Sequence, residues 1–335
     1  MPTFVYVAQD DDRIAIFRLD RDTGNLSPAG RVAAGRHPSF LAFAPSKRFV
    51  YAVNELSNEV ASFAIDPATG ALSFLNRVPS GGVEPAFLSL DAGGRWLFAA
   101  NYRTGPVVVF RIAQGGRIGA LTESRATGVH PHAILLDPGN QFALVPNIGS
   151  DTLSVLRFDR ENGTLELAHA DVATRPKAEP RHLAWHPEKP FVYVIEEAGS
   201  EVEAYSKDPE SGALTSIGCF PTLPPGADPA GNTGSDIHLS SSGKFLYGSN
   251  RGHDSIVIYA VENDGALTLV GHASTHGKTP RNFGLDPTGA FLFVANKDSG
   301  TVARFRIDSG TGALRHVGTT ETGASPYWVG AIILP

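Results

Sequence analysis

Apolar and polar residues alternate in blocks along this chain, and one block of about 17 residues recurs. It opens with Pro, continues through an apolar run and a short polar turn, and closes with a second apolar run that ends in Asn. Two short apolar runs joined by a polar turn are typical of a β-hairpin. The Pro and the Asn stand 16 positions apart in four copies, which are Pro38 to Asn54, Pro85 to Asn101, Pro131 to Asn147 and Pro280 to Asn296. Two further copies keep this spacing with one end replaced, namely Pro180 to Glu196 and Gly234 to Asn250.

A seventh copy is divided between the two ends of the chain. It begins at Pro326, and the N-terminal run FVYVAQ supplies its second half, with Gln9 in the Asn position. A second hairpin follows the copies, and six of these hairpins have glycine at the turn: Gly24, Gly70, Gly163, Gly212, Gly265 and Gly312. Each unit therefore contains four short strands, which is the content of one propeller blade. We expect residues 1–335 to form one all-β domain, a seven-bladed β-propeller whose last blade combines strands from both termini.

Composition narrows the functional classes. The 335 residues are 42% hydrophobic and 19% charged, with a formal net charge of -6 and no basic tract that would bind nucleic acid or an anionic membrane. Cys219 is the only cysteine, which excludes an internal disulfide and a cysteine zinc site. The N-terminus lacks the pattern of a signal peptide, and no apolar run is long enough to span a bilayer. We therefore expect a soluble, cytoplasmic protein, and a monomer, because a closed ring needs no partner to protect its sheet edges.

The repeat also predicts where a functional site should lie. The first strand of a blade lines the central channel, and the connection into it lies at the same end as the exit from the second strand. Residues after the Pro and after the Asn should therefore surround one mouth of the channel. The first set comprises Ser39, Ala86, His132, Arg181, Ser235, Arg281 and Tyr327. The second set comprises Asp10, Glu55, Tyr102, Ile148, Glu197, Arg251 and Lys297.

These neighbours of the uniform Pro and Asn positions diverge into His, Arg, Glu, Tyr and Lys, whereas repeats that only fold tend to fill equivalent positions alike. A mouth that contains four Arg or Lys residues and a histidine suits a small anionic molecule with a carboxylate or phosphate. His132 is a possible proton carrier beside carboxylates that tune it. The alternative is a solvated polar ring without function. The repeated Asn is expected to be structural, bonding nearby backbone.

Other signals are weaker. His130 and His132 form an H-x-H pair, but no third ligand is evident by spacing, so we expect no metal. His182 is expected to line the channel wall, and His186 to sit in a turn. No G-x-S-x-G motif supports Ser-His-Asp hydrolysis, and no C-x-x-C-H motif supports covalent haem. The Pro- and Gly-rich stretch 220–234 enters the same mouth as a partial lid or as a plain insertion.

The assembled motifs resemble the propeller-type lactonase family, which includes 6-phosphogluconolactonases and fungal 3-carboxy-cis,cis-muconate lactonising enzymes. The resemblance covers nearly the whole chain. It is carried by YAVNE at 51–55, ANY at 100–102, PRHLAWHP at 180–187, SDIHLSSSGKFLYGSNRGHDSI at 235–256 and PRNFGLDPTGAFLFVAN at 280–296. The family's proposed active-site set matches His132, Arg181, Glu197 and Arg251, and a further family arginine matches Arg281. The resemblance implies that no metal or organic cofactor is required.

We therefore expect hydrolysis of a sugar lactone, chiefly 6-phospho-D-glucono-1,5-lactone of the pentose phosphate pathway. His132 would move the proton, Glu197 would assist it, and Arg181 and Arg251 would hold the anion and the developing oxyanion. Further substrate-binding candidates are Arg281, Lys297, Glu55, Tyr102, His182 and Asn101. Two alternatives remain: a muconate-type lactonising or delactonising enzyme of aromatic catabolism, and a non-catalytic propeller that serves as an interaction platform.

Overall fold

The computed structural model describes residues 1–335 as seven antiparallel sheets arranged in the order of the sequence repeat. Blade 1 contains β4 (Pro38–Phe43), β5 (Phe49–Asn54), β6 (Glu59–Ile65) and β7 (Leu72–Pro79), and blade 2 contains β8 (Pro85–Leu90), β9 (Trp96–Asn101), β10 (Pro106–Ile112) and β11 (Ile118–Ala126). Blade 4 contains β17 (Pro180–Trp185), β18 (Phe191–Glu196), β19 (Glu201–Lys207) and β20 (Leu214–Pro221). Blade 5 contains β21 (Thr233–Leu239), β22 (Phe245–Arg251), β23 (Ser255–Val261) and β24 (Leu267–Ser274). Blade 6 contains β25 (Pro280–Leu285), β26 (Phe291–Asn296), β27 (Thr301–Ile307) and β28 (Leu314–Glu321).

Blade 7 confirms the divided repeat. Its strand order is β29 (Pro326–Ile333), β1 (Thr3–Gln9), β2 (Arg13–Leu19) and β3 (Leu26–Ala33). The antiparallel pairing of β29 with β1 sets Phe4 opposite Ile332 and Val7 opposite Val329. Because the innermost strand comes from the C-terminus and the other three from the N-terminus, the two chain ends close the ring together.

Blade 3 departs from the prediction of four strands. Its innermost strand is reduced to β12 (Leu135–Leu136), and Pro131 contacts Asn147 only through an isolated bridge. After β13 (Phe142–Asn147) and β14 (Thr152–Asp159), the outer edge is broken into β15 (Thr164–Leu167) and β16 (Val172–Ala173). Short 3₁₀ turns follow several second strands or join outer ones, at Glu55–Ser57, Gln114–Gly116, Ile148–Ser150 and Lys297–Ser299. His132 therefore sits on a less regular strand than its counterparts in the other blades.

The repeated Asn is fully buried, and in blades 2, 5 and 6 its side chain joins neighbouring blades, whereas Asn54 of blade 1 has no hydrogen-bond partner. In blade 2, Asn101 Nδ2 donates to the carbonyl of Ser80, the residue after the outer strand of blade 1. The same bond recurs from Asn250 to Thr222, from Asn296 to Thr275, and from the predicted substitute Gln9 to Thr322. We call these bonds the inter-blade latch. Their acceptors lie 21 to 28 residues earlier in three cases, so they are less local than a simple turn cap.

The innermost strands carry a β-bulge directly after the Pro. In blades 1, 2, 4 and 6 the register of the first and second strands shifts between the Pro and the residue two positions later. Bulges leave one residue unpaired and re-aim its side chain, often beside a functional site. The unpaired residues here are Ser39, Ala86, Arg181 and Arg281, which belong to the predicted mouth set.

Apolar contacts between adjacent blades form the core. Each of the seven clusters contains 8 to 16 buried residues from neighbouring sheets, and the cluster at the closure site joins Tyr6, Phe63 and Trp328. Close approach requires glycine next to the latch, because a Cβ at Gly277 would lie 2.4 Å from Asn296 Nδ2. None of the helices has the length and apolar character that crossing a membrane would need.

Glu196 provides a test of the latch, because it occupies the Asn position of blade 4. It is fully buried and accepts a hydrogen bond from Arg175 Nη2 at 2.8 Å, while burial raises its pKa to about 7. The folded protein therefore holds a proton that the unfolded chain releases above about pH 4.5. The free energy of unfolding of the wild type consequently falls as pH rises from about 4.5 to 7. We expect the free energy of unfolding of Glu196→Gln, relative to wild type, to rise by about 2 kcal/mol between pH 5 and 8 in urea titrations.

The exposed Glu161→Gln variant is the control and should show no such change relative to wild type. A Glu196→Gln difference that is constant with pH would contradict the assignment of a protonated latch in blade 4.

Candidate active site

Backbone hydrogen bonds connect the chain segments that carry the two predicted sets of mouth residues. The residue after the Asn donates its N–H to the carbonyl of the residue before the Pro, as Glu197 does to Glu179 at 2.7 Å. Equivalent bonds join Glu55 to His37, Tyr102 to Glu84, Ile148 to His130 and Lys297 to Thr279. The repeat thus positions the backbone of the mouth independently of the side chains it carries.

The residues before the Pro adopt left-handed conformations, with φ between 55° and 59° at Glu84, Glu179 and His37. Such conformations cost free energy for residues other than glycine and persist where the surroundings hold them. Here a side chain one loop earlier accepts the N–H, as Asp151 Oδ1 does from Glu179 and Asn58 Oδ1 from Glu84. Hydrogen bonds therefore hold the backbone of the mouth in a strained conformation.

A cavity of about 200 Å³ opens at this mouth. Seven of the ten predicted site residues line it: His132, Arg181, Glu197, Arg251, Arg281, Glu55 and Tyr102. Glu84, Ala86 and Ile148 complete the lining. The cavity thus combines three guanidinium groups with a histidine and small or apolar walls on one side.

Glu197 connects two of the guanidinium groups. Its Oε2 lies 2.9 Å from Arg181 Nε and its Oε1 lies 3.1 Å from Arg251 Nη2. Burial favours the neutral carboxyl, but Arg181 and Arg251 outweigh it and hold the pKa of Glu197 below its ordinary value. Glu197 is therefore a carboxylate at neutral pH, which suits orientation of the arginines better than proton donation.

Arg181 is almost completely buried, and burial together with the nearby Arg251 lowers its pKa to about 9. It still carries its charge at neutral pH. Its Nη1 donates to the carbonyl of Ser235, while its Nη2 forms no hydrogen bond within the protein. That free group belongs to a residue that lines the cavity, so it is available to an anionic ligand.

His132 is buried, with 7% of its surface exposed, and its Nδ1 has no hydrogen-bond partner. Burial and the cations Arg181 and Arg281 hold the pKa of His132 well below 6.5. The ring stacks edge-on against Tyr102 at a centroid distance of 5.7 Å. Because His132 lines the cavity, its neutral imidazole is competent to accept a proton from a water molecule there.

Three predicted site residues lie outside the cavity lining. Asn101 is fully buried and forms the inter-blade latch, so its position is structural. Lys297 lies at the rim, where its Nζ is 3.2 Å from Asp298 and 5.6 Å from the ring centroid of Tyr327. His182 lies one layer below the mouth, with its ring 5.0 Å from that of His132. The bulge after the Pro separates Arg181 and His182 into these two layers.

His130, His186 and the segment 220–234 do not line the cavity. His130 stacks on Tyr102 and contacts its carbonyl through Nδ1 at 2.9 Å, and no group of three or more His, Cys, Asp or Glu side chains is arranged to hold a metal ion. His186 is a turn residue whose Nδ1 accepts the N–H groups of Glu188 and Lys189. The segment 220–234 lines a separate groove beside Tyr259 and does not contribute to the cavity lining.

Sequence reasoning missed Glu84. It lies immediately before Pro85, and Arg103 Nη2 donates to its Oε1 at 2.9 Å. Scanning the residue before each Pro, as well as the one after it, would have found it.

Comparisons with known proteins agree with this architecture. The chain matches the family model described as Lactonase, 7-bladed beta-propeller, over residues 5–331. The 6-phosphogluconolactonase of Formosa agariphila is 31% identical over 322 residues, which are 90% of each chain. That of Bacillus subtilis is 30% identical over 338 residues, with 97% of this chain and 95% of the relative covered. Among solved structures, the periplasmic gluconolactonase of Pseudomonas aeruginosa has a TM-score of 0.91 at 27% identity and full coverage of both chains.

The protonation of His132 can be measured without any substrate. We expect its ring to remain neutral at pH 6.5 and above in ¹⁵N-histidine NMR spectra, because burial and neighbouring cations lower its pKa. In Arg181→Ala the largest nearby charge is removed, so the titration midpoint should move upward. A wild-type midpoint at or above 6.5, or no change in the variant, would contradict this description of the cavity.

Proposed function

The chain belongs to the seven-bladed β-propeller lactonase family, and we propose that it hydrolyses a sugar lactone, with 6-phospho-D-glucono-1,5-lactone as the substrate. One observation carries the proposal: three guanidinium groups and an unpaired, neutral histidine line the same cavity. Such a cavity combines an anion-binding surface with a proton acceptor, as lactone hydrolysis requires. The relatives named 6-phosphogluconolactonase support the choice of substrate.

In the proposed reaction, water attacks the lactone carbonyl carbon while the imidazole ring of His132 accepts one of its protons. The carbonyl oxygen becomes an oxyanion, which Arg181 Nη2 and the guanidinium of Arg251 stabilise by charge-assisted hydrogen bonds. The bond between the carbonyl carbon and the ring oxygen then breaks, and His132 returns the proton to that oxygen. Glu197 keeps the two guanidinium groups in place throughout, since it pairs with both.

The phosphate is proposed to bind at the rim between Arg281 and Lys297. The guanidinium of Arg281 lies 5.0 Å from the ring centroid of Tyr327, and the ammonium of Lys297 lies 5.6 Å from the same centroid. Both cations contact the ring of Tyr327, and we propose that they share one phosphate. This arrangement explains why Lys297 stands outside the cavity that holds the reacting carbonyl.

The alternatives receive less support. The relatives reported above give no support to a muconate-type enzyme, and its substrate would leave the rim cations without a phosphate. An interaction platform does not require charged groups to converge in a cavity. The cytoplasmic location and the monomeric state stay predictions; one solved relative is periplasmic.

Activity measurements test the assignment. The purified protein should open 6-phosphogluconolactone faster than the spontaneous reaction, and it should prefer this substrate to glucono-1,5-lactone. We expect His132→Ala to lower kcat by roughly 10² to 10⁴-fold and Arg251→Ala by roughly 10² to 10³-fold. The partly buried His169 on the outer part of blade 3 offers a control, and His169→Ala should retain wild-type kcat. Unchanged activity in His132→Ala would exclude this site.

The pH dependence of activity follows from the state of His132. A general base must be neutral, and its pKa is lowered, so activity should be lost only in acid well below pH 6.5. After subtraction of spontaneous hydrolysis, we expect kcat/KM to be flat between about pH 6.5 and 8. An inflection within that interval would identify a different base.

A further inference from the structure

Asp236 lies in the layer directly beneath the mouth, on the innermost strand of blade 5. It is 3% exposed, and every one of its neighbours donates to it. Its donors are His182 Nδ1 at 2.7 Å, His238 Nε2 at 3.1 Å, Asn282 Nδ2 at 2.5 Å and the backbone N–H groups of Ile237 and Phe283 at 3.0 and 3.2 Å. A buried carboxylate with this many donors is ionised and immobile.

Two contacts lead from Asp236 to Arg181. First, Asp236 accepts a hydrogen bond from Nδ1 of His182, which leaves the Nε2 lone pair of that ring facing Arg181 Nη1 at 3.4 Å. Second, the peptide that joins Asp236 to Ser235 provides the carbonyl to which Arg181 Nη1 donates at 2.5 Å. One acceptor of Nη1 is therefore oriented by the Asp236 carboxylate, and the other belongs to the peptide bond that leads into Asp236.

The protonation state of His182 agrees with a hydrogen bond that its Nδ1 donates to Asp236. Burial and the adjacent Arg181 lower the pKa of His182 to about 4, so its ring is neutral and donates from Nδ1 only. Glu197 holds the Nε side of Arg181, and Nη1 is held from below. With those two nitrogens fixed, the free Nη2 has a defined direction.

We propose that Asp236 and His182 are positioning residues that fix Arg181, through the Nδ1–H tautomer of His182 and the carbonyl of Ser235, so that Nη2 is presented to the substrate oxyanion. Neither residue touches the substrate in this arrangement. The activity part of the test depends on the proposed function, whereas the tautomer of His182 does not.

Asp236→Asn is the informative substitution. His182, His238 and Asn282 all present donors, so the new amide N–H₂ must face at least one of them. If it faces His182, the ring must take the other tautomer and turn Nε2–H toward the guanidinium of Arg181, where two donors repel. Replacing an orienting carboxylate in this way typically lowers activity on the order of 10 to 100-fold.

A double-mutant cycle distinguishes the loss of Arg181 positioning from a general effect of the substitution on the structure. Asp236→Asn should lower kcat/KM by roughly 10 to 100-fold in the wild-type background but by less than about twofold in Arg181→Ala. The matched control is Asp286→Asn, a buried carboxylate in a blade 6 turn that accepts the Phe291 N–H, and its effect should be equal in both backgrounds. An equal cost of Asp236→Asn in both backgrounds would overturn the proposal.

Two further measurements cover the case in which Asp236→Asn does not fold or the lactone is not the substrate. In the wild type, ¹⁵N-histidine NMR should show His182 neutral with the proton on Nδ1 at pH 7, and a proton on Nε2 would overturn the proposal. His182→Gln keeps an amide oxygen for Arg181, so it should bind 6-phosphogluconate, measured by calorimetry, more tightly than His182→Leu. If both variants bind 6-phosphogluconate, equal affinities would also overturn it. Absence of lactonase activity with the expected NMR result would reject the substrate but retain the positioning role.

Discussion

The inter-blade latch is the interaction on which the rest of the ring depends. Each latch connects the end of a second strand to the exit of the preceding blade's outer strand, and the Asn side chain that forms it is fully buried. A buried amide that lost these partners would cost about 1 to 3 kcal/mol. The latch also fixes the position of the next residue along the chain, which helps to bring Tyr102, Arg251 and Lys297 to the same mouth. Blade 4 uses Glu196 and Arg175 instead, which makes its latch sensitive to protonation.

The cavity at the mouth brings three guanidinium groups together, and nearby carboxylates neutralise their charge. Arg181 and Arg251 share Glu197 on the mouth side, while Asp236 lies beneath them with a lowered pKa maintained against burial by His238 and His182. The two carboxylates offset the cost of burying guanidinium groups without filling the cavity. Arg181 lines the cavity and its Nη2 forms no hydrogen bond within the protein, which supports the proposal that the site binds an anion.

The mouth is asymmetric around the ring. Blades 3, 4 and 6 contribute His132, Arg181 and Arg281, whereas blades 1 and 2 contribute the small residues Ser39 and Ala86. Blades 1 and 2 also contribute Glu55, Glu84 and Tyr102 to the cavity lining, so these two carboxylates lie on a different side of the ring from the three guanidinium groups. Equivalent positions of the repeat therefore carry side chains of different charge and size around the mouth.

The sequence by itself determined the number of blades, the divided seventh blade and the ring of residues at one mouth, because a constant Pro-to-Asn spacing reports local hairpin geometry directly. It also predicted seven of the residues that line the cavity. Only the tertiary structure decided that Asn101 belongs to the latch, that Lys297 lies at the rim and that His182 lies below Arg181. A β-bulge changes the direction of a side chain without changing its position in the repeat. Likewise, the pairing of His182 with Asp236 joins residues 54 apart in the chain, and only the packing of blade 4 against blade 5 brings them together.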